Sequence, residues 1–252
     1  MDVEQDVAAN FIANSKASKE ALKSANILKT LNINVLIEGP TGVGKELLAK
    51  YISNDAPVIK ENLSNLKQLS QSSKDIIILN IEKCKNLHIF EEIDKKHRII
   101  ATSNQITKSE IIDKIFPIKI YIPPLQDRPE DILPIAKKFL KEANEIFSRD
   151  LDINLEKIDF NLDENGDSIK KDIYLHFFLE NISDKQIMMC LEKYLINKIG
   201  TQKDYKQFLY LYEVPLIKAG FKRFKSQLKM AEMLGLNRNT LRKKINENKD
   251  WL

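Results

Sequence analysis

Two stretches of this sequence hold residues whose types and spacing could do chemistry. In "VLIEGPTGVGKELLAKYI" (residues 35–52), three of the chain's seven glycines, Gly39, Gly42 and Gly44, alternate with Pro40, Thr41 and Val43 ahead of Lys45 and Glu46. A phosphate cradle needs this composition: glycines let backbone N–H groups turn inward, a lysine reaches the terminal phosphates, and a helix N-terminus stands behind. A bare G-x-x-x-x-G-K arises easily by chance, and an ordinary strand-turn-helix would read similarly. The apolar strand before it and the helical pattern after it make this instance more specific. In "SQLKMAEMLGLNRNTLRKKINEN" (226–248), Ala231, Gly235 and Leu241 stand at i, i+4 and i+10. That is the spacing at which a helix-turn-helix places a small contact residue, a turn glycine and an apolar anchor. Leu228, Leu234, Leu236 and Ile245 would complete the inner face, and Asn237 would cap the second helix. Arg238, Asn239, Thr240, Arg242 and Lys243 would project outward, with donors suited to guanine edges and phosphates. A charged helical hairpin with no ligand is the competing reading.

The elements that must position these residues can be read on either side. The apolar runs "NVLIEG", "DIIILNIE", "HRIIATSN" and "IKIYIPP" lack polar alternation and are interleaved with helical patterns, as in a parallel sheet covered on both faces. Residues 1–30 read as a helical lead-in. In "RPEDILPIAKKFLKEANEIF", Ile132, Ile135, Ala136, Phe139 and Leu140 share one helix face. The acidic "RDLDINLEKIDFNLDENGDS" reads as a loop or insertion, "SDKQIMMCLEKYLINKI" is helical again, and Pro215 suits the first turn of a helix over "PLIKAGFKRF".

Bulk composition narrows the class. With 252 residues, 43% hydrophobic and 30% charged, the chain can bury a sizeable core. No apolar run approaches the roughly 20 residues of a membrane span, and the N-terminus shows no signal-peptide pattern, so a cytoplasmic protein is expected. Cys84 and Cys190 lack metal-site spacing and read as free buried thiols, with no metal site. The net charge of +4 is uneven: residues 218–249 hold ten Lys or Arg against Glu232 and Glu247. A basic block on a mildly acidic body points to a polyanionic partner, although a solvated lysine face would look alike.

With these residues quoted, a resemblance can be stated. "GPTGVGKELLAKYI", "SNQITK" and "PPLQDRPEDILPIAKKFL" resemble the AAA+ module of NtrC-type bacterial enhancer-binding proteins, which work with sigma-54. "LNRNTLRKK" is similar to the Fis-type helix-turn-helix that ends such regulators. In that family Glu follows the loop lysine, so Glu46 fits. The resemblance implies an ATP or ADP site formed by residues 39–46 with Asn104 as γ-phosphate sensor. It implies DNA contacts from Asn237, Arg238, Thr240, Arg242 and Lys243, with Lys244 as a further phosphate contact. It also marks departures. The metal-holding Asp position is Asn80 and the water-polarising Glu position is Ile81, leaving Glu82 as a stand-in; the arginine-finger positions are Lys108 and Lys114; the lid sensor aligns on Lys185. Only 34 residues separate Lys45 from Asn80, and the family's sigma-touching Gly-Ala-Phe-Thr-Gly-Ala string is absent.

The expectation is therefore an α/β P-loop AAA+ domain over 1–128, a small helical lid over 129–203, and an all-α Fis-type domain over 204–252, with no receiver domain ahead. The expected function is sequence-specific regulation of transcription on double-stranded DNA, as a homodimer formed through the C-terminal domain, "FLYLYEVPLI" supplying the contact. Nucleotide binding is expected without catalytic residues, firm Mg²⁺ ligation, strong hydrolysis or sigma-54 contact. An active ATPase that remodels transcription complexes and a Fis-like architectural DNA-binding protein are the alternatives.

Overall fold

Val35, Leu36 and Ile37 are completely buried, which only a strand covered on both faces permits. The computed structural model describes residues 11–60, 63, 66, 68, 69, 73–84, 87–92, 97–148, 150–180 and 182–252. Residues 1–10 of the expected lead-in lie outside the described residues. The chain divides into two compact units, Met1–Asn181 and Ile182–Leu252. This division falls inside the 129–203 stretch read as a lid, so the helix after it goes with the C-terminal unit.

In the first unit, β1 (Val35–Glu38), β2 (Val58–Lys60), β3 (Asp75–Leu79), β4 (Arg98–Ser103) and β5 (Ile118–Tyr121) form one parallel sheet in the order β2-β3-β4-β1-β5. Side chains alternate between faces along each strand. Val35, Ile37, Ile77 and Ile100 pack on one side beneath α1 (Lys16–Leu28) and α2 (Lys45–Ile52). Leu36, Ile76, Ile78 and Ala101 pack on the other, against Ile112 of α3 (Glu110–Ile115) and Phe116. The long helix α4 (Ile132–Phe147) and α5 (Gly166–Glu180) share a separate core of Ala136, Ala143, Ile169, Ile173 and Phe177. Edge strand β2 escaped the sequence reading because it spans three residues and buries only Ile59.

A buried ion pair ties this unit together. Arg128 and Asp131 are 1% and 0% exposed. Asp131 accepts hydrogen bonds from the Asn14 and Ser15 amides at 2.6 and 2.8 Å, and from the Ser15 and Ser18 hydroxyls at 2.8 and 2.6 Å. Arg128 donates to Val43 O and Ser18 Oγ, both at 2.8 Å, to Pro123 O at 3.0 Å and to Asp131 at 3.3 Å. Burial pushes the Asp131 carboxyl up, but these donors outweigh it and hold it below the usual carboxylate range.

The second unit contains α6 (Asp184–Leu195), α7 (Asp204–Phe208), α8 (Tyr210–Arg223), α9 (Gln227–Met233) and α10 (Arg238–Glu247). Its core is Ile217, Met230, Ala231 and Leu241, with Leu234, Leu236 and Ile245 packed against it. Leu228, expected on this inner face, is 64% exposed; Met230 fills the position instead, lying against Gly220 where any Cβ would come within 2.8 Å of it. Pro215 does not open its helix but lies inside α8, whose N-terminal residues Tyr210–Val214 extend it upstream. The thiols also differ from expectation: Cys84 is buried, whereas Cys190 on α6 is exposed.

Candidate functional site

β1 ends at Glu38 and α2 begins at Lys45, so residues 39–44 form a loop at the carboxyl edge of the sheet. Gly42 and Gly44 take φ of +76° and +99°, conformations that side-chain-bearing residues rarely adopt. Gly42 also needs its missing side chain for space, since a Cβ there would lie 1.9 Å from Glu164 O. The Lys45 ammonium donates to Gly39 O at 2.8 Å and Pro40 O at 2.6 Å, within its own loop. Burial pushes its pKa down to about 8, with the nearby Glu82 and Asp167 carboxylates acting in the opposite sense.

The loop opens onto a cleft of about 510 Å³, lined by Thr41, Gly42, Gly44, Lys45 and Glu46, and by Asn80, Thr102 and Asn104 from the strand ends. Lys60 at the end of β2 and Lys138, Phe139, Glu142, Gly166, Asp167 and Lys170 from α4 and α5 complete the wall. Asn104 lines this cleft beside Asn80. Its side-chain amide donates to Asn80 Oδ1 at 2.9 Å and Glu82 Oε1 at 3.0 Å. Asn80 adopts a left-handed φ of 57° and leads into a 3-10 turn over Ile81–Lys83. Ile81 is 1% exposed and belongs to the core, while Glu82 turns back toward Asn104.

Lys185 lies on α6, in the second unit. The residues that reach the loop come from the acidic stretch read as a loop or insertion. Gly166 N donates to Gly42 O at 3.0 Å, and buried Asn165 donates to Thr41 O at 2.8 Å while accepting from Leu125 N at 2.7 Å. Lys108 and Lys114 are not among the lining residues. The Asn165-Gly166 pair just ahead of a helical pattern was the available signal.

A P-loop fold implies a divalent ion beside the phosphates. Mg²⁺ takes near-octahedral oxygen ligation, usually with one or two carboxylates. Here Asn80 offers a neutral carboxamide whose oxygen already accepts from Asn104. Glu82 Oε1 is likewise engaged, and its Oε2 is enclosed without a protein partner. Among the described residues no three His, Cys, Asp or Glu side chains converge to hold a metal. Asn80 and Glu82 therefore offer a divalent ion no accessible, uncommitted oxygen; the carboxylates of the wall are Glu46, Glu142 and Asp167.

In the second unit, Gly235 takes φ +64° and the turn closes through Leu236 N to Ala231 O at 2.9 Å. Asn237 caps α10, its Oδ1 accepting from Asn239 N at 2.8 Å. Leu241 is buried beneath α10, while Arg238, Asn239, Thr240, Arg242 and Lys243 are exposed on its far side. Lys243 pairs loosely with Glu247 at 3.8 Å. Lys244 is half-buried and held by Glu213 of α8, so its charge serves first to join two helices.

Comparison with known proteins agrees with both halves of this geometry. A family model described as "Sigma-54 interaction domain" matches residues 11–78, and one described as "Bacterial regulatory protein, Fis family" matches 211–247. The two matched segments are similar to those of NtrC-type AAA+ regulators that carry a Fis-type tail. Among curated relatives, this chain is 21% identical to the HTH-type transcriptional regulatory protein TyrR of Haemophilus influenzae, the alignment covering 94% of each chain. It is 22% identical to the transcriptional activator RocR of Bacillus subtilis over 57% of this chain and 43% of RocR. Among solved structures, NtrX from Brucella abortus in complex with ADP superposes with a TM-score of 0.55 at 15% identity, covering 95% of this chain and 69% of NtrX. The RuvB Holliday junction branch migration motor of Thermotoga maritima gives 0.53 at 14%, covering 92% and 85%. At those identities the structural likeness establishes the AAA+ fold. Both curated relatives are described as transcriptional regulators, and the C-terminal match is to a bacterial regulatory family.

Proposed function

We propose that this regulator binds specific duplex DNA through α10 as a homodimer, holds adenine nucleotide in its P-loop cleft, hydrolyses it poorly and does not act through sigma-54. The observation that carries the reading is the outward face of α10, where Arg238, Asn239, Thr240, Arg242 and Lys243 stand exposed on a packed helix-turn-helix. NtrX was crystallised with ADP and with ATP, which supports the nucleotide assignment for a cleft of this shape. Asn80 and Ile81 in the two catalytic acid positions, together with a sequence lacking the Gly-Ala-Phe-Thr-Gly-Ala string, support the two negative parts. No described helix is long and apolar enough to cross a membrane, which accords with a cytoplasmic setting. Chromatin immunoprecipitation with sequencing, paired with a deletion transcriptome, tests the reading. Discrete sites next to genes whose transcripts change are expected, and binding without a preferred motif would defeat it.

Dimerisation is supported by α6, which buries none of its residues although Ile187, Leu191 and Tyr194 share a face at helical spacing and Met188 is 62% exposed. "FLYLYEVPLI" is less available than expected, because Val214 and Ile217 already lie in the unit's own core. Leu191→Asp is expected to convert a dimer to a monomer in analytical ultracentrifugation while leaving the helical circular dichroism signal intact. A wild-type chain that sediments as a monomer at all accessible concentrations would refute this.

One observation favours active turnover as a second reading. Glu82, a single residue beyond its expected position, directs a carboxylate oxygen to Asn104 and is near enough to Lys45 to influence its pKa. Phosphate release at background level is nevertheless expected, since an arginine finger contributes roughly 10³–10⁵ in rate in related transfers. A measurable rate abolished by both Lys45→Ala and Glu82→Gln would establish the second reading in its place.

A further inference from the structure

We infer that the cleft takes its nucleotide without a magnesium ion, and that Lys60 supplies positive charge where the AAA+ fold would use the metal. The inference rests on the nucleotide assignment above and concerns the manner of binding. The donors of the wall are already engaged: the Asn80 oxygen accepts from Asn104, Glu82 Oε2 is enclosed, Glu46 and Glu142 are drawn to Lys50 and Lys170 at 3.7 and 3.3 Å, and Asp167 lies near the Lys45 ammonium.

Lys60 lines the same cleft. It is the last residue of β2 and pairs in register with Leu79, so it stands beside Asn80 at the carboxyl edge of the sheet. Its side chain is exposed and lines the same cleft as Lys45. An ammonium is a compact point charge that needs no octahedral ligand set, so it can neutralise a phosphate oxygen where carboxylates are lacking. The carboxamide of Asn80 is neutral, so it offers neither a charged ligand to a metal nor a counter-charge to Lys60 in the same wall. Both effects favour direct contact between lysine and phosphate.

Isothermal titration of the full chain with ATP, in excess Mg²⁺ and again in EDTA, tests this. The two dissociation constants are expected to agree within about twofold, and Lys60→Ala should weaken binding in EDTA by about tenfold or more, the loss of one charge-assisted contact. The same variant should keep the wild-type melting temperature, because Lys60 lies exposed on an edge strand. A tenfold or larger loss of wild-type affinity in EDTA would overturn the inference while leaving nucleotide binding intact. So would a Lys60→Ala chain that binds as the wild type does. Absence of binding in both buffers would overturn the nucleotide assignment and this inference with it.

Discussion

Asp131→Ala is expected to destabilise the first unit by about 3–5 kcal/mol, the usual consequence of removing one partner from a buried ion pair. Four donors from residues 14–18 converge on this carboxylate, and Arg128 would be left charged at 1% exposure. The damage should extend to the nucleotide cleft, because Arg128 also holds Val43 O on the back of the P-loop. The measurement has an internal control. Trp251, the single tryptophan, belongs to the second unit and stacks on Tyr210 at 5.4 Å. Urea unfolding should therefore show an earlier transition by far-UV circular dichroism, with the tryptophan transition little changed. Equal midpoints for variant and wild type by dichroism would refute the latch.

The same carboxylate makes a statement about pH. Its folded pKa is depressed below the unfolded value of roughly 3.9, so its contribution is complete above that value and is lost as pH falls through the folded one. The stability gap between wild type and Asp131→Ala should thus be constant near neutrality and narrow only in the acid limb. A gap that opened on acidification would have the wrong sign.

Arg128 and Asp131 also show where sequence reading stops. "RPED" reads as a charged turn, because a single sequence does not reveal that Asn14, Ser15, Ser18 and Val43 will surround it. The P-loop was legible for the opposite reason: its glycines act locally, through backbone conformations that no distant residue has to supply. Lys185 was reached only through the family resemblance, by aligning a short string, whereas the residues that close on Gly42 lie in an acidic stretch with weak patterning. Leu228 was assigned to the core on hydrophobicity alone; a period of 3.6 admits either Leu228 or Met230 at a helix of seven residues, and the approach of Gly220 selects the more pliable methionine. Local constraints were readable, and those created by tertiary approach were not.

The largest functional loss should come from Arg238→Ala combined with Arg242→Ala. The two side chains stand one helical turn apart on the exposed face of α10, and neither forms an ion pair among the described residues. Each base contact of this type is worth about 1–3 kcal/mol, so the pair should cost about 2–6 kcal/mol of specific affinity if the two act independently. Lys244→Ala is the informative contrast. Its ammonium is committed to Glu213, so removing it should loosen α10 from α8, lowering the melting temperature of the second unit while weakening specific and random duplexes alike. Titration of a selected site and a random duplex at fixed salt separates these outcomes. Discrimination between the duplexes should collapse in the double arginine variant and persist in Lys244→Ala. If Lys244→Ala abolished discrimination and the double arginine variant kept it, the reading face would have to be moved to the side of α10 nearer α8.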